Sequence, residues 1–447
     1  MDQRQQYLSG FAALEQRLAK QRASSLSGIR RAAIDRFAEI GFPTTRLEEW
    51  RFTNVAPIAQ TAFVQAPDGA ARAFTLSEGP GRNVSREAED SQLVFINGRY
   101  SPALSRASRM PGGAVVGSLA AALVATPGVV EPHLARYAGY DDNAFVALNT
   151  AFIEDGAFIH IPDGAIVEDP IRVLFVSTAN GAASVSHPRN LIVAGPNSQA
   201  VIVESYLAAE DGVYLTNAVT EVVAGKNAVV EHCKLQRESE AAFHVASLVV
   251  HQDRDSKVSL HSISVGGAIA RNEVSTRLGG EGADCALNGL YMAHGRQHVD
   301  SHTTIDHATP LSSSLEIYKG VLEGAAHGVF SGRITVRPDA QKIVARQTNK
   351  NLLLSEDAVV NTKPHLQIYA DDVKCFHGAT VGMLDEDALF YLRSRGMTRE
   401  MAQDLLVHAF VGEVLGAIKV RALREEIEEL VLGRLPTGSK LRELRPA

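Results

Sequence analysis

Two residues in the run VKCFHGATVG, Cys375 and His377, are of the types that hold metal ions. Val373, Cys375 and His377 alternate there with Lys374 and Phe376. In a strand this alternation puts the thiol and the imidazole on one face, roughly 7 Å apart at the backbone. Bonds from sulfur or imidazole nitrogen to a metal are about 2.0 to 2.3 Å long, so one metal centre can touch both. Two ligands leave a tetrahedral shell half built, and the remainder must come from elsewhere in the chain or from another protein. The plain alternative is an interior thiol beside a hydrogen-bonded surface His.

A second group lies in HGRQHVDSHTTIDH, with His294, His298, Asp300, His302, Asp306 and His307. In a strand His298, Asp300 and His302 share a face, whereas in a helix His294, His298 and His302 do. Gly295 and the β-branched Thr303, Thr304 and Ile305 favour the strand. The group reads either as an outward polar face, hydrogen-bonded side chain to side chain, or as a metal site. Cys233 alternates in phase with Val229 and Leu235, and Cys285 with Leu287, so both read as core thiols.

Other chemistry is absent from the sequence. No G-x-x-x-x-G-K-[ST] loop occurs, and TGSK at Thr437–Lys440 is not one, so the chain is not expected to hydrolyse ATP. There is no G-x-S-x-G elbow, Rossmann fingerprint or H-E-x-x-H. The 44 basic and 51 acidic residues give a formal charge of −7 without a basic block, which argues against nucleic acid as a partner. With no apolar run of membrane-spanning length and a polar start, MDQRQQYLSGFAALEQRL, the expectation is a cytoplasmic protein. Three cysteines, far apart and without CxxC, exclude a self-contained cysteine-only site and fit a reducing compartment.

The elements that must position Cys375 and His377 are strands. From about Phe152 onward short β runs are broken by turn clusters at Gly195–Gln199, Gly225–Asn227, Asp253–Lys257, Gly280–Asp284, His307–Leu311 and Arg337–Gln341. Their spacing of roughly 27 to 30 residues is a solenoid period. The fold class expected is mainly β: a parallel β-helix whose coils share an apolar interior, with helical segments on either side. A β-sandwich competes but does not require such even spacing. Three regions follow: an N-terminal helical and mixed domain (1–145), the β-helix core (146–383) and a C-terminal helical domain (384–447).

Before the solenoid, Tyr7 to Ile40 is helical in pattern and Gly41-Phe42-Pro43 stops it. Thr45 is placed to cap a short helix, RLEEW, whose Trp50 reads as a packing anchor. Residues 60–92 read as loop with a strand or two. After the solenoid Thr398 caps a helix with Leu406, Phe410, Val414 and Ile418 along one face, and a charged amphipathic helix with Ile427, Leu430 and Val431 follows. This tail reads as a terminal cap or as a docking surface, and cutting it off after Gly382 is expected to leave the solenoid foldable.

A specific resemblance rests on YKGVLEGAAHGVFSGRITVRPDAQK, on QTNKNLLLSEDAVVNTKPHLQIYADDVKCFHGATVG, on LFYLRSRGMTREMAQDLLVHAF and on the N-terminal GFPTTRLEEWRFTN. Together they resemble the SufB/SufD family of iron–sulfur cluster assembly proteins, from about Gly41 to Leu415. Gly378 after His377, where SufB sequences tend to carry Glu, and the low cysteine count resemble the SufD branch. The resemblance implies a non-catalytic scaffold that pairs with a SufB-like protein and binds a SufC-like ABC ATPase through its C-terminal helices, ATP hydrolysis belonging to that partner. It implies that Cys375 and His377 serve a nascent-cluster site shared at the SufB-like interface, with iron or an iron–sulfur cluster held transiently there, and a part in iron acquisition. Reduced flavin is associated with the family's complex, and nothing in this sequence marks a flavin site. A homodimer is a state open to the isolated chain. The reading from another class is a β-helix enzyme using His298, Asp300 and His302 as a metal site.

Overall fold

At one equivalent turn of each coil the backbone enters the left-handed region: Asn197, Asn227, Asp255, Gly282, Leu311 and Lys342 all have φ between 57° and 74°. Asn, Asp and Gly tolerate this conformation best. Each of these residues also donates its backbone N–H to a carbonyl of the next coil, Asn197 to Lys226, Asn227 to Arg254, Asp255 to Glu281, Gly282 to Pro310, Leu311 to Gln341 and Lys342 to Asp372. The turns therefore stack in register, and the strands between them stack with them. Ile269 pairs with His298 and His298 with His327, so one coil takes roughly 29 residues.

The computed structural model describes residues 3–20, 26–65, 92–106, 110–178 and 182–443. Its strands form two sheets, one of 11 and one of 10 strands, and among the strands from Ala157 onward every pairing is parallel, to the previous or next coil. This is the expected parallel β-helix. Between the sheets lies a continuous core that includes Ile159, Phe175, Ile202, Val222, Leu248, Leu260, Val274, Leu287, Ile305, Phe330 and Val336. Cys285 belongs to this interior, as its phase with Leu287 implied.

The two ends of the solenoid differ. At the first end the chain turns back on itself, Leu93–Ile96 against Arg99–Tyr100 and Val115–Ser118 against Ala157–Ile161, both antiparallel. Helices Ser27–Ile40 and Ala144–Ala151 pack beside the 11-stranded sheet. Gly41 closes the first of these at φ 63°, as the sequence implied. The last coil, by contrast, carries the edge strands Val359–Ile368 and Val373–Gly382, each paired on one side only.

Two expectations from the sequence change in detail. RLEEW forms only a 3-10 turn, Glu48–Trp50, and its N-cap is Leu47 with no side-chain bond rather than Thr45. Trp50 is buried against Phe145, with the Arg271 guanidinium 3.7 Å from its ring centre, which is an anchoring role. Most of the stretch 60–92 lies outside the described residues.

The C-terminal helices do not cap the end of the solenoid. Arg399–Gly416 and Arg421–Gly433 lie across the outer face of the 10-stranded sheet, burying Val203, Cys233, Leu235, Ile263, Leu290, Met292 and Val321. Thr398 caps the first helix by accepting from the Met401 N–H at 3.2 Å. The fully buried stripe of that helix runs through Val407, Val411 and Val414, one residue round from the expected Leu406 and Phe410, because the sheet is a wide surface that takes a broad apolar face. Cys233 is a core thiol of this outer layer, and burial pushes both it and Cys285 up.

Candidate functional site

The strand that carries Cys375 and His377 is the outermost of the 10-stranded sheet. Its neighbour Ile343–Leu353 sets the register, Ala345 opposite Cys375 and Gln347 opposite His377. Ala345 is a fully buried interior residue, and Val373 and Cys375 pack against the same interior cluster. Alternation then puts His377 on the inward side as well. Thiol and imidazole thus share a face, as the sequence implied, and that face looks into the mouth of the solenoid. Cys375 is half-buried and His377 exposed. Burial pushes the Cys375 thiol up, partly opposed by a backbone hydrogen bond at Ala345.

The mouth is rimmed by apolar groups that no coil covers. Val359, Tyr369, Val381 and Met383 of the last coil and its turns are exposed, and Phe376, 58% exposed, lies on the outward face of its strand with the Arg346 guanidinium over its ring. Where the preceding strand Ile343–Leu353 alternates between buried and exposed, Val373–Gly382 is exposed along nearly its whole length. A side chain at Gly378 would meet nothing within 4 Å, so the space beside His377 is open.

Behind His377 runs a column of interior polar groups that motif reading missed. Gln347 is opposite His377 and Glu316 is opposite Gln347, both buried, with Gln347 Nε2 donating to Glu316 at 2.7 Å. Gly332 leaves the room that Gln347 fills, since a Cβ there would meet Gln347 Nε2 at 2.3 Å. Burial raises the Glu316 carboxyl to about 7, opposed by hydrogen bonds with Thr303 and Gln347. The signal for this column is the coil spacing itself, which places Gln347 and Glu316 one and two periods before His377.

The second group separates. His298, Asp300, His302 and Asp306 face outward, whereas His307 is fully buried and bonds Ser312 and Ser314 at 2.8 and 2.9 Å. His294 sits at the turn beside Gln297 and Glu240. The outward residues form a latch for the N-terminal segment. Thr53 Oγ1 lies 2.8 Å from His298 Nε2 and donates to Asp300 at 2.5 Å, and Arg271 pairs with Asp300. His302 stands 3.0 Å from Asp300 and 3.5 Å from Glu49, which also pairs with Arg333. Among the described residues no three His, Cys, Asp or Glu side chains converge as a metal cluster. The latch partners Thr53, Glu49 and Arg271 come from far along the chain, so local spacing could not reveal them.

This latch should respond to pH. Hydrogen bonding with His302 chiefly, and then Arg333, holds the Glu49 carboxyl down at about 2. Burial alone would lower His302, but Asp300 and hydrogen bonds to Asp300 and Glu49 outweigh it and raise the imidazole. The Glu49 contribution is present above its unfolded value of about 4.3 and is lost as pH falls toward the folded value. The His302 contribution is full below about 6.5 and is lost as pH rises through the raised value. The stability difference between wild type and His302→Gln should therefore be largest near pH 5 to 6 and shrink above pH 7. Thermal midpoints across pH test this, and a difference independent of pH would remove the charged latch.

Comparison with known proteins identifies the family. The model of the SUF system FeS cluster assembly SufBD core domain matches residues 175–410, and that of the SufBD protein N-terminal region matches residues 1–173. The chain is 35% identical to an iron–sulfur cluster assembly SufBD family protein of Synechocystis, over 91% of each chain. It is 29% identical to SufD of Escherichia coli, over 90% of this chain and 91% of that one. With SufD of Bacillus subtilis it shares 27% identity over 96% of this chain and 97% of the relative. A solenoid of this form, matched to those models over nearly its whole length, belongs to the SufB/SufD family of iron–sulfur cluster assembly proteins and resembles its SufD members.

Proposed function

We propose that the chain is a scaffold subunit that joins a SufB-like partner at the open end of its solenoid and there lends Cys375 and His377 to a divided site for nascent iron–sulfur cargo. The observation that carries this reading is the uncapped last coil. Two edge strands, each paired on one side only, exposed apolar side chains and two soft-to-borderline ligands all belong to this one coil. An edge of this kind is a template for pairing, and a second solenoid presenting its own end satisfies it. Thiolate and imidazole supply part of a coordination shell, and the partner supplies the remainder.

The same reading gives the C-terminal helices to a SufC-like ATPase. Helix Glu386–Ser394 buries only Leu389, leaving Phe390 73% and Tyr391 56% exposed. Large exposed aromatics form an apolar surface of the kind that anchors a partner. ATP hydrolysis belongs to that partner, and the motion it drives reaches the solenoid through the helices packed on its outer sheet.

One pull-down tests both contacts. Phe376→Asp places a charge on the last coil and should lose the SufB-like protein while keeping the ATPase, and Phe390→Asp should do the reverse. Both positions are exposed, so folding should change by no more than about 0.5 kcal/mol. Retention of both partners by both variants would contradict the assignment.

A further inference from the structure

On the outer face of the 11-stranded sheet a concave groove of about 620 Å³, reaching the last coil at Gln367, is lined by Arg136, Arg277, Arg333 and Arg337 against one carboxylate, Asp306. We propose that this groove binds a small phosphate-bearing ligand. Four guanidinium groups round one concavity stand out on a chain whose formal charge is −7. They come from separate parts of the fold, a loop before helix Ala144–Ala151, two strands and the turn after the second. Their convergence is thus a property of the tertiary structure and not of a charged run.

The groove is built on rigid supports. The loop that presents Arg136 is pinned by the Glu221 carboxylate, which accepts from the N–H groups of Ala135, Tyr137 and Ala138 at 2.7, 2.8 and 3.0 Å. Glu221 is in turn held by fully buried Arg189 at 2.7 Å. The floor is a hydroxyl ladder fixed by strand register, Ser275 beside Thr304 and Asp306 beside Thr335. Arg337 is spent on Asp306 through two bonds of 2.9 and 2.8 Å, and Arg333 reaches Glu49. Arg277 is 4.0 Å from Asp306 and half exposed, and Arg136 makes no ion pair among the described residues. Arg136 is therefore left to receive an anion, together with Arg277, whose contact with the already bidentate Asp306 is at the limit of an ion pair. Planar forks favour phosphate oxygens taken two at a time, and hydroxyls donate to the same oxygens. A flat basic face would suit a macromolecule, whereas this concavity has the size of a small-molecule site.

The test is calorimetric titration of the full chain with pyrophosphate, with citrate as the carboxylate control. The expected result is saturable one-to-one binding of pyrophosphate that weakens as salt is raised. Arg136→Ala and Arg277→Ala should each weaken it about tenfold, the loss of a charge-assisted pair, with unchanged thermal midpoints because both side chains are exposed. No saturable binding, or binding that both variants leave unaltered, overturns the site. Citrate binding more tightly than pyrophosphate overturns the phosphate assignment.

Discussion

His377→Ala, produced with the SufB-like and SufC-like partners, should yield an intact complex that has lost its iron and sulfide. Three arguments combine. His377 is exposed on an edge strand, so its removal should change stability by no more than about 0.5 kcal/mol. An interface between two solenoid ends rests on its apolar centre, here Phe376, Val381 and their neighbours, and not on one imidazole at the mouth. The cargo, however, meets a shell already divided between two chains, and Ala offers no lone pair to complete it. Cys375→Ala should act in the same direction. His377→Cys should restore part of the loss, since a thiolate is a good iron ligand. Iron and sulfide per complex, measured after size exclusion, decide the matter, and wild-type content in an intact His377→Ala complex would falsify the ligand assignment.

Removal of the C-terminal helices should have the largest effect on the protein itself. From the sequence these helices read as a terminal cap or as a docking surface, and their loss is expected to leave the solenoid foldable. Their actual position across the outer face of the 10-stranded sheet reverses that expectation. Truncation after Gly382 bares Val203, Leu235, Ile263, Leu290, Met292 and Val321 together, a contiguous apolar face of the kind that drives aggregation. The truncated chain should be recovered as insoluble protein. Val411→Asp is the finer test, because Val411 is fully buried between helix and sheet. An unpaired carboxylate there should cost about 3 to 5 kcal/mol, read as a drop in the denaturation midpoint. Soluble, cooperatively unfolding truncated protein would return the helices to a peripheral role.

The solenoid was legible because its turns repeat. Asn197, Asn227 and Asp255 advertise left-handed positions, and the even interval between them fixes both the coil length and the pairing of strands. The shared face of Cys375 and His377 followed from alternation alone. The placement of the helices did not. An amphipathic stripe such as Val407, Val411 and Val414 says that a face is covered, and leaves open whether the cover is the end or the flank of a solenoid. The latch was invisible for a similar reason. Asp300 is held by Thr53, by Arg271 and by His302, and only the last is close in sequence. Its burial is a product of coil stacking plus a segment some 250 residues earlier, which no local pattern records.

The most direct measurement asks whether an imidazole of this chain touches the cargo. The subunit would be labelled with ¹⁵N-histidine, assembled with unlabelled partners, loaded with iron and sulfide, reduced, and examined by pulsed electron paramagnetic resonance. The account predicts a ¹⁵N coupling to the cluster spin that vanishes in the His377→Ala complex. No ¹⁵N coupling from the labelled subunit, or a coupling that persists without His377, would contradict the shared site.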